Sequence, residues 1–258
     1  MTVALITGAS SGIGEAAAQR LAREPDMQLV LVARREDRLR ALADQVGNAT
    51  VVAADLTAGD APERVAAHLR EQHGGRLDLL VNNAGAAWRG EFADVGYENV
   101  RKTMELNFDA VVRLTEALLP LLRASSPSAI VNIGSTAGRV ARGGSASYSA
   151  SKFALHGWSD GLHLEEKHHG VHVGVVMPGF IKTEGFPAKE IPKWAVSTPD
   201  KVADAIVDCW HGRAERFVPR PYAVAGLLRY VAPRLTRRAL SGGSAKRLTT
   251  TTGAQSTD

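Results

Sequence analysis

Cysteine is almost absent from this sequence, with Cys209 as the single example in 258 residues. One cysteine excludes an internal disulfide and a cysteine-based metal cluster, and it fits a reducing compartment. Long apolar runs are also missing, since no segment approaches the roughly 18 uninterrupted apolar residues of a membrane span. The start of the chain shows neither the basic region nor the long apolar region of a signal sequence. We therefore expect a cytoplasmic protein.

Acidic residues are scarce near the C-terminus. From His211 onward there are nine Lys or Arg against Glu215 and Asp258, which leaves 22 basic and 25 acidic residues in the preceding part. The net charge of +4 therefore belongs to the C-terminal part and not to the body of the chain. An apolar content of 45% and a charged content of 22% are ordinary for a soluble globular protein.

The first apolar run, Val3 to Thr7, ends in a glycine-rich turn, after which apolar residues recur at helical spacing. We interpret this as strand, turn and helix. Gly8 permits the tight turn, Gly12 lets the backbone approach a pyrophosphate, and Gly14 lets the helix sit close to the sheet. Free amides at the helix start would face the phosphate. The candidate cofactor-binding residues here are Gly8, Ser10, Ser11, Gly12, Ile13 and Gly14.

Two arginines, Arg34 and Arg35, follow the second predicted strand, Gln28 to Ala33. A dinucleotide-binding fold reads the adenine ribose at this point, where an acidic residue would bind the 2′-hydroxyl of NAD. Two guanidiniums suit a 2′-phosphate instead. We therefore expect NADP(H) in preference to NAD(H). The alternative is that both arginines merely begin the helix that follows, Glu36 to Val46.

Polar residues also end the third and fourth predicted strands. Asp55-Leu56 follows the strand Thr50 to Ala54, where a carboxylate could meet the adenine amino group. The strand Leu77 to Val81 runs into the turn Asn82-Asn83-Ala84-Gly85. This turn could support the sheet and contact the cofactor, or it could be a simple strand-ending turn. The candidate residues are Asp55, Leu56, Asn82, Ala84 and Gly85.

The stretch from Ser135 to Lys152 carries a hydroxyl, a phenol and an amine. Tyr148 and Lys152 are four residues apart, which places them on one face of a helix. An ammonium about 4 Å away would favour the phenolate by roughly 4 kcal/mol, whereas burial would oppose it. The phenol could then act as a general acid or base. The alternative is an ordinary helix that exposes both side chains.

Strands and long helices alternate along the chain, and this pattern predicts an α/β fold with a parallel, doubly wound sheet of the Rossmann type. The predicted strand Ala129 to Ile133 delivers Ser135 to the carboxyl edge of this sheet. A long helix is expected over Asn99 to Leu122, and a final edge strand over Arg216 to Val218. We expect a single domain over residues 1–241, and a disordered tail over the Ser-, Thr- and Gly-rich residues 242–258.

The chain resembles the short-chain dehydrogenase/reductase family, in its shorter, non-extended branch. The resemblance covers residues 3 to about 183, because six signals occur in the family's order and at its intervals. They are Thr7-Gly8-x-x-x-Gly12-x-Gly14, Asn82-Asn83-Ala84-Gly85, Asn107, Ser135, Tyr148-x-x-x-Lys152 and Pro178-Gly179-x-x-x-Thr183.

The resemblance implies an oxidoreductase that uses a nicotinamide cofactor and no metal. Tyr148 would be the general acid or base, Lys152 would hold the nicotinamide ribose, Ser135 would bind the substrate oxygen, and Asn107 would position a water. Residues near the end of the sixth strand would hold the nicotinamide, namely Pro178, Gly179, Ile181 and Thr183. The family also commonly forms homodimers or homotetramers, here through the Asn107 and Tyr148 helices. We expect no nucleic-acid partner.

The segment of about 180–198 is expected to cover the substrate pocket as a lid. Its aromatics include Phe180, and Trp88 would form another wall. Such a pocket favours a moderately large lipophilic ketone, aldehyde or secondary alcohol over a charged sugar or an acyl-carrier conjugate.

The C-terminal segment Tyr222 to Val231 carries apolar residues on one helical face, with arginines nearby. A basic amphipathic helix can rest on an anionic membrane surface, so a weak peripheral contact is one interpretation. A helix that closes the pocket and an oligomer contact are the others.

Two other protein classes are alternatives to this oxidoreductase. A catalytically idle nucleotide sensor or scaffold could share the fold, but it would not need the Tyr148 and Lys152 pair. A sugar-nucleotide epimerase or dehydratase would need a larger C-terminal domain than the residues after Thr183 provide.

Overall fold

The computed structural model describes residues 1–183, 192 and 195–241. Much of the expected lid and all of the expected disordered tail lie outside this part of the chain. The helices are α1 (Gly12–Leu21), α2 (Glu36–Val46), α3 (Ala61–His73), α4 (Phe92–Met104), α5 (Ala110–Ala124), α6 (Ala146–Glu166), α7 (Pro199–Trp210), α8 (Tyr222–Val231) and α9 (Pro233–Ser241). The strands are β1 (Thr2–Thr7), β2 (Met27–Ala33), β3 (Ala49–Ala53), β4 (Leu79–Asn82), β5 (Ser128–Ile133), β6 (Val171–Pro178), β7 (Phe180–Ile181), β8 (Val196–Ser197) and β9 (Glu215–Val218).

Seven parallel strands form the central sheet in the order β3-β2-β1-β4-β5-β6-β9. The order reverses between β1 and β4, which pair in parallel with Ile6 opposite Val81. Side chains on both faces of these strands are buried, as parallel sheets between helical layers require. The predicted α/β, doubly wound, single-domain fold is confirmed. The predicted edge strand is also found, as β9 beside β6.

Two apolar clusters fill the space on the two faces of the sheet. One cluster joins the sheet to α1, α2 and α7 through residues such as Leu21, Leu39 and Ile206. The other joins it to α3 and α5 through residues such as Leu69 and Leu118. Because helices pack on both faces, the sheet is held rigidly. The loops at its carboxyl edge therefore keep fixed positions relative to one another.

The predicted helix Asn99 to Leu122 differs most from the structure. The helical segment begins earlier, at Phe92, although Gly96 has non-helical angles, and a π-helical turn over Glu105–Asp109 separates α4 from α5. Helical periodicity continues through a π turn, so the sequence pattern alone gave no sign of it. At α3, Asp60 stands at the N-cap but its side chain makes no capping hydrogen bond.

Candidate active site

The glycine-rich turn between β1 and α1 depends on three glycines, two for their backbone angles and one for close packing. Gly8 and Gly12 have positive φ angles of 65° and 61°, which non-glycine residues rarely adopt. A Cβ placed on Gly14 would lie 2.2 Å from the carbonyl oxygen of Gly8, so α1 starts in direct contact with the turn. No side chain caps the start of α1, where Ser11 stands at the N-cap. The first amides of α1 therefore remain available for an anion.

The turn is tied to the end of β4 by hydrogen bonds. The Thr7 hydroxyl accepts from the backbone amides of Asn83 and Ala84 at 2.9 and 3.0 Å. The Asn83 side-chain amide donates to the carbonyls of Thr7 and Gly8 at 2.9 and 3.3 Å. These bonds cross the point where the strand order reverses, which is where open α/β sheets bind ligands. Asn83 was not among the predicted site residues, although it lies inside the motif.

Asn82, which was predicted to bind cofactor, points into the sheet. Its side-chain amide donates to Asn132 at 2.9 Å and to Thr115 at 3.2 Å, and the residue is buried. Asn82 therefore supports the neighbouring strands, and Gly85 is the member of the turn that is open to solvent.

Arg35 reaches back from the end of β2 over the glycine-rich turn. Its guanidinium donates to the hydroxyls of Ser10 and Ser11 at 3.2 and 2.9 Å. Arg34 lies close enough to Asp55 for its charge to lower the pKa of that carboxyl, although a hydrogen bond from the Thr57 amide lowers that pKa more. Both arginines thus face the end of the crevice that the sequence assigned to the adenine ribose.

Ser135, Tyr148 and Lys152 come together beside the carboxyl end of β5. The Ser135 hydroxyl hydrogen-bonds the Tyr148 side chain and also donates to the Pro178 carbonyl at 3.4 Å. The Lys152 ammonium donates to the Ile133 carbonyl at 2.8 Å and lies 5.9 Å from the centre of the Tyr148 ring. A Cβ on Gly85 would lie 3.6 Å from that ammonium, so the group borders the crevice.

Burial controls the protonation of this pair. Burial raises the pKa of Tyr148, while the hydrogen bond with Ser135 and the charge of Arg89 lower it by less. The expected fall in the Tyr148 pKa is therefore wrong, because desolvation of the phenolate exceeds the attraction of nearby charges. Burial lowers the pKa of Lys152 to about 8. The site thus favours a neutral phenol beside an amine that can lose its proton near neutrality.

Asn107 lies in the π-helical turn and is fully buried. Its side-chain oxygen accepts from the Ala86 amide at 2.9 Å, and its amide donates to the Ala86 carbonyl at 2.9 Å and to Ser151 at 3.1 Å. The Ser151 hydroxyl in turn donates to the Tyr148 carbonyl at 2.9 Å. Asn107 therefore locks the loop after β4 to the helix that carries Tyr148 and Lys152.

The entrance to the site is lined by aromatic and basic side chains. The guanidinium carbon of Arg142 lies 4.6 Å from the centre of the Phe180 ring. The Lys102 ammonium lies 4.4 Å from the centre of the Trp88 ring. Tyr222 packs against Gly179, where an added Cβ would meet the ring at 2.3 Å. The sequence predicted Trp88 and Phe180 here, and it missed the two cations because their contacts are distant along the chain.

Three histidines lie near the sheet and the site. His172 lies in β6, and its ring meets the ring of His163 edge to face at 5.3 Å. His156 is 3% exposed and occupies the space beside Gly134 and Gly138. Among the described residues, no group of three His, Cys, Asp or Glu side chains could hold a metal ion.

Comparison with protein families finds one match over most of the chain. The profile of the family described as short chain dehydrogenase matches residues 2–192. A zebrafish (Danio rerio) protein, "Dehydrogenase/reductase SDR family member 7B", is 34% identical over 191 residues, which cover 70% of this chain and 61% of that protein. The Escherichia coli "3-oxoacyl-[acyl-carrier-protein] reductase FabG" is 34% identical over 183 residues, which cover 70% and 74% of the two chains.

Two solved structures share the fold. A short-chain dehydrogenase from Streptomyces avermitilis superposes with a TM-score of 0.78 at 29% identity, covering 94% of this chain and 98% of its own. The Pseudomonas aeruginosa RhlG/NADP active-site complex superposes with a TM-score of 0.76 at 29% identity, covering 84% and 93%.

Proposed function

This chain belongs to the short-chain dehydrogenase family and is an NAD(P)-dependent oxidoreductase, and on that premise we propose that it interconverts a lipophilic ketone or aldehyde and its alcohol with NADP(H). The observation that carries this proposal is the meeting of Ser135, Tyr148 and Lys152 beside the glycine-rich turn. The name of the Escherichia coli relative, a 3-oxoacyl reductase, supports a carbonyl as the reacting group.

The crevice fits a dinucleotide. The uncapped start of α1 and the close backbone contact at Gly14 leave a cradle for a pyrophosphate. Thr183, whose methyl group would lie 3.5 Å from a Cβ on Gly12, closes the cradle on the nicotinamide side together with Ile181. When bound, the cofactor supplies or accepts the hydride.

The side chains around the reacting carbon bind the substrate oxygen, transfer the proton and position the surrounding loops. Ser135 hydrogen-bonds the substrate oxygen and polarises it as negative charge develops. The Tyr148 phenol, kept neutral by burial, gives its proton to that oxygen in reduction and takes a proton in oxidation. Lys152 would hold the nicotinamide ribose and return a proton to Tyr148 after reduction. Asn107 holds the Ala86 loop and would position a water that connects Lys152 to solvent.

NADP(H) in preference to NAD(H) is supported by Arg35, whose guanidinium lies over Ser10 and Ser11, and by Arg34 beside Asp55. We expect Arg35→Gln to raise the KM for NADPH at least tenfold and to change the KM for NADH less than about twofold. Arg40→Gln, on the exposed face of α2, serves as the control. Equal KM values for both cofactors in the unaltered protein would contradict this preference.

Turnover of carbonyl compounds tests the function. NADPH oxidation is measured with a panel of ketones and aldehydes of increasing chain length, and Tyr148→Phe should abolish it while cofactor binding is retained. Turnover of small polar carbonyls alone would contradict the lipophilic substrate. Cofactor binding with no turnover of any carbonyl or alcohol would favour the idle sensor.

We also propose a homodimer or homotetramer through the helices that carry Asn107 and Tyr148. Phe153 and Leu164 lie about three turns apart on α6, on one face, and are 37% and 75% exposed. Leu164→Arg should therefore reduce the mass measured in solution, and an unchanged mass would contradict this interface.

A weak contact of the C-terminal helices with an anionic membrane is the last part of the proposal. The outer face of α8 exposes Val224, Leu227, Leu228 and Val231, and Arg229 lies at its end. Among residues 1–183, 192 and 195–241, no helix is long and apolar enough to span a bilayer. The contact we propose is therefore at the surface, with the protein otherwise cytoplasmic.

A further inference from the structure

A guanidinium stands on the inner side of the active-site entrance. Arg142 is half-buried, and its guanidinium carbon lies 4.6 Å from the centre of the Phe180 ring. Phe180 follows Pro178 by two residues, and the Pro178 carbonyl accepts from the Ser135 hydroxyl at 3.4 Å. Arg142 therefore packs on the same short segment, 178–180, that contacts the Ser135 hydroxyl.

Arg89 lies on a loop next to the loop that carries Arg142. The loop that carries Arg89 is joined to the loop that carries Arg142, because the Gly90 amide donates to the Gly144 carbonyl at 3.0 Å. The charge of Arg89 lowers the pKa of the Tyr148 phenol, so it acts within reach of the reacting atoms. The two cations thus lie on adjoining loops, Arg89 near Tyr148 and Arg142 on the Phe180 ring.

The excess of positive charge at the entrance is local. The three segments 85–91, 139–145 and 178–183 contain four basic residues and one acidic residue, Glu91. Arg139 is paired with Glu215, whereas Arg142 lies over the Phe180 ring and hydrogen-bonds the Tyr222 side chain. Residues 1–210 as a whole carry more acidic than basic side chains. The general charge of the protein therefore does not explain this cluster.

We propose that Arg142, assisted by Arg89, binds an anionic oxygen group of the substrate. The stacked guanidinium presents its edge donors in a fork that matches a carboxylate or a phosphate, and the adjacent aromatic ring gives an apolar wall for the rest of the molecule. The substrate is then a carbonyl compound with an apolar body and one anionic end. This inference rests on the proposed carbonyl oxidoreductase function, and it adds an anionic end to the lipophilic substrate proposed above.

The test compares acids with their esters in the full-length protein. Oxododecanoates with the ketone at carbon 4, 6 or 8 and their methyl esters are assayed with NADPH. We expect a lower KM for at least one acid than for its ester. Arg142→Gln should raise the KM for that acid about tenfold, the loss of one charge-assisted contact, and should change the KM for the ester less than about twofold. Arg101→Gln, exposed on α4, should change neither.

Inhibition separates the two anions. Dodecanoate and dodecyl phosphate are compared as inhibitors of ester reduction, and stronger inhibition by one of them identifies the group that the entrance accepts. Equal KM values for acid and ester, changed alike by Arg142→Gln, would overturn the anion subsite and leave the carbonyl oxidoreductase function intact.

If no carbonyl compound is turned over, the proposed function fails. Binding measurements then still test the anion subsite. Tryptophan fluorescence, with Trp88 beside the entrance, reports binding of dodecanoate and of methyl dodecanoate. Binding of the acid that weakens about tenfold in Arg142→Gln would support the subsite. Equal binding of acid and ester by both proteins would overturn it.

Discussion

Lys152 is a charged side chain almost completely removed from water. It is 4% exposed, and burial lowers its pKa from 10.5 to about 8. Because the folded pKa lies below the unfolded value, burial of Lys152 lowers the free energy of unfolding by about 3 kcal/mol below pH 8. This loss disappears as the pH rises toward 10.5. A buried lysine that destabilises the fold is expected to serve a function other than stability. The position of Lys152 beside Tyr148 agrees with this expectation.

Lys152→Met is expected to stabilise the fold and to abolish turnover. The substitution removes the buried charge but leaves the Ile133 carbonyl without its donor, so the net gain at pH 7 should be about 2 kcal/mol. Urea denaturation at pH 7 measures the gain, and NADPH oxidation measures the loss. A destabilised but active variant would show that Lys152 serves structure instead of chemistry.

His156 is a second buried group with a stability consequence. Burial is the largest cause of its pKa falling to about 3, and the charges of Arg139 and Lys152 add to it. Because the folded pKa lies below the unfolded value of 6.5, the stability due to neutral His156 is complete above pH 6.5 and is lost as the pH falls. Between pH 7 and pH 5 the loss should be about 2 kcal/mol.

Urea denaturation of His156→Leu across this pH range tests the assignment. The variant should lose about 2 kcal/mol less than the unaltered protein between pH 7 and pH 5. His211→Leu, which alters an exposed histidine, should behave as the unaltered protein does. Parallel pH profiles for all three proteins would show that His156 is not the titrating group.

At the scale of elements, the turn between β1 and α1 has little space for side-chain atoms. A Cβ on Gly14 would lie 2.2 Å from the Gly8 carbonyl oxygen and 2.7 Å from the Asn83 amide. Gly14→Ala must therefore move α1 or break the bonds from Asn83, at a cost of about 3 kcal/mol. The cofactor should also bind more weakly, since α1 supplies the amides that face the phosphate.

A glycine on α6 provides the matched control. A Cβ on Gly161 would meet nothing within 4 Å, so Gly161→Ala should stabilise the protein by about 0.5 to 1 kcal/mol through helix propensity alone. Urea denaturation of both variants gives the comparison. Equal effects of the two substitutions would contradict the close packing at Gly14.

The sequence was a good guide to elements whose pattern is local. The helix Glu36–Val46 has the predicted bounds, and the strand ends that carry Asp55 and Ser135 were predicted within a residue or two. The π-helical turn at Asn107 and the cations at the entrance were missed. Their position depends on contacts between loops far apart in the chain, such as the bond between Gly90 and Gly144, and no local pattern encodes such contacts.

At the scale of the whole molecule, α8 is attached to the body along its inner face and exposes its outer face. Tyr222 anchors α8, with its hydroxyl donating to the Ala195 carbonyl at 3.1 Å. The Thr236 hydroxyl donates to the Leu228 carbonyl at 3.1 Å and fixes the bend between the two helices. Sequence periodicity predicted α8 with its observed bounds, and it missed α9, which begins at Pro233, a residue that is tolerated in the first turn of a helix.

The outer face of these helices combines apolar area with positive charge. Leu227, Val231 and Leu235 are 65%, 73% and 71% exposed, and Arg234 and Arg237 are exposed beside them. An apolar stripe without nearby charge would suit contact with a second copy of this protein equally well. The arginines favour an anionic lipid surface, where each adds roughly 1 kcal/mol of attraction.

Sedimentation with vesicles decides between lipid and protein as the occupant of this face. The full-length protein should sediment with vesicles containing phosphatidylglycerol at low salt, less at moderate salt, and little with phosphatidylcholine alone. Leu227→Ser with Val231→Ser should abolish sedimentation, whereas Tyr97→Ser, which alters an aromatic residue 67% exposed on α4, should not. Deletion of α8 would remove the Tyr222 anchor, so substitution on the outer face is the cleaner change. If all proteins stay in the supernatant and the double variant has a lower mass in solution, the face is an oligomer contact and the membrane proposal fails.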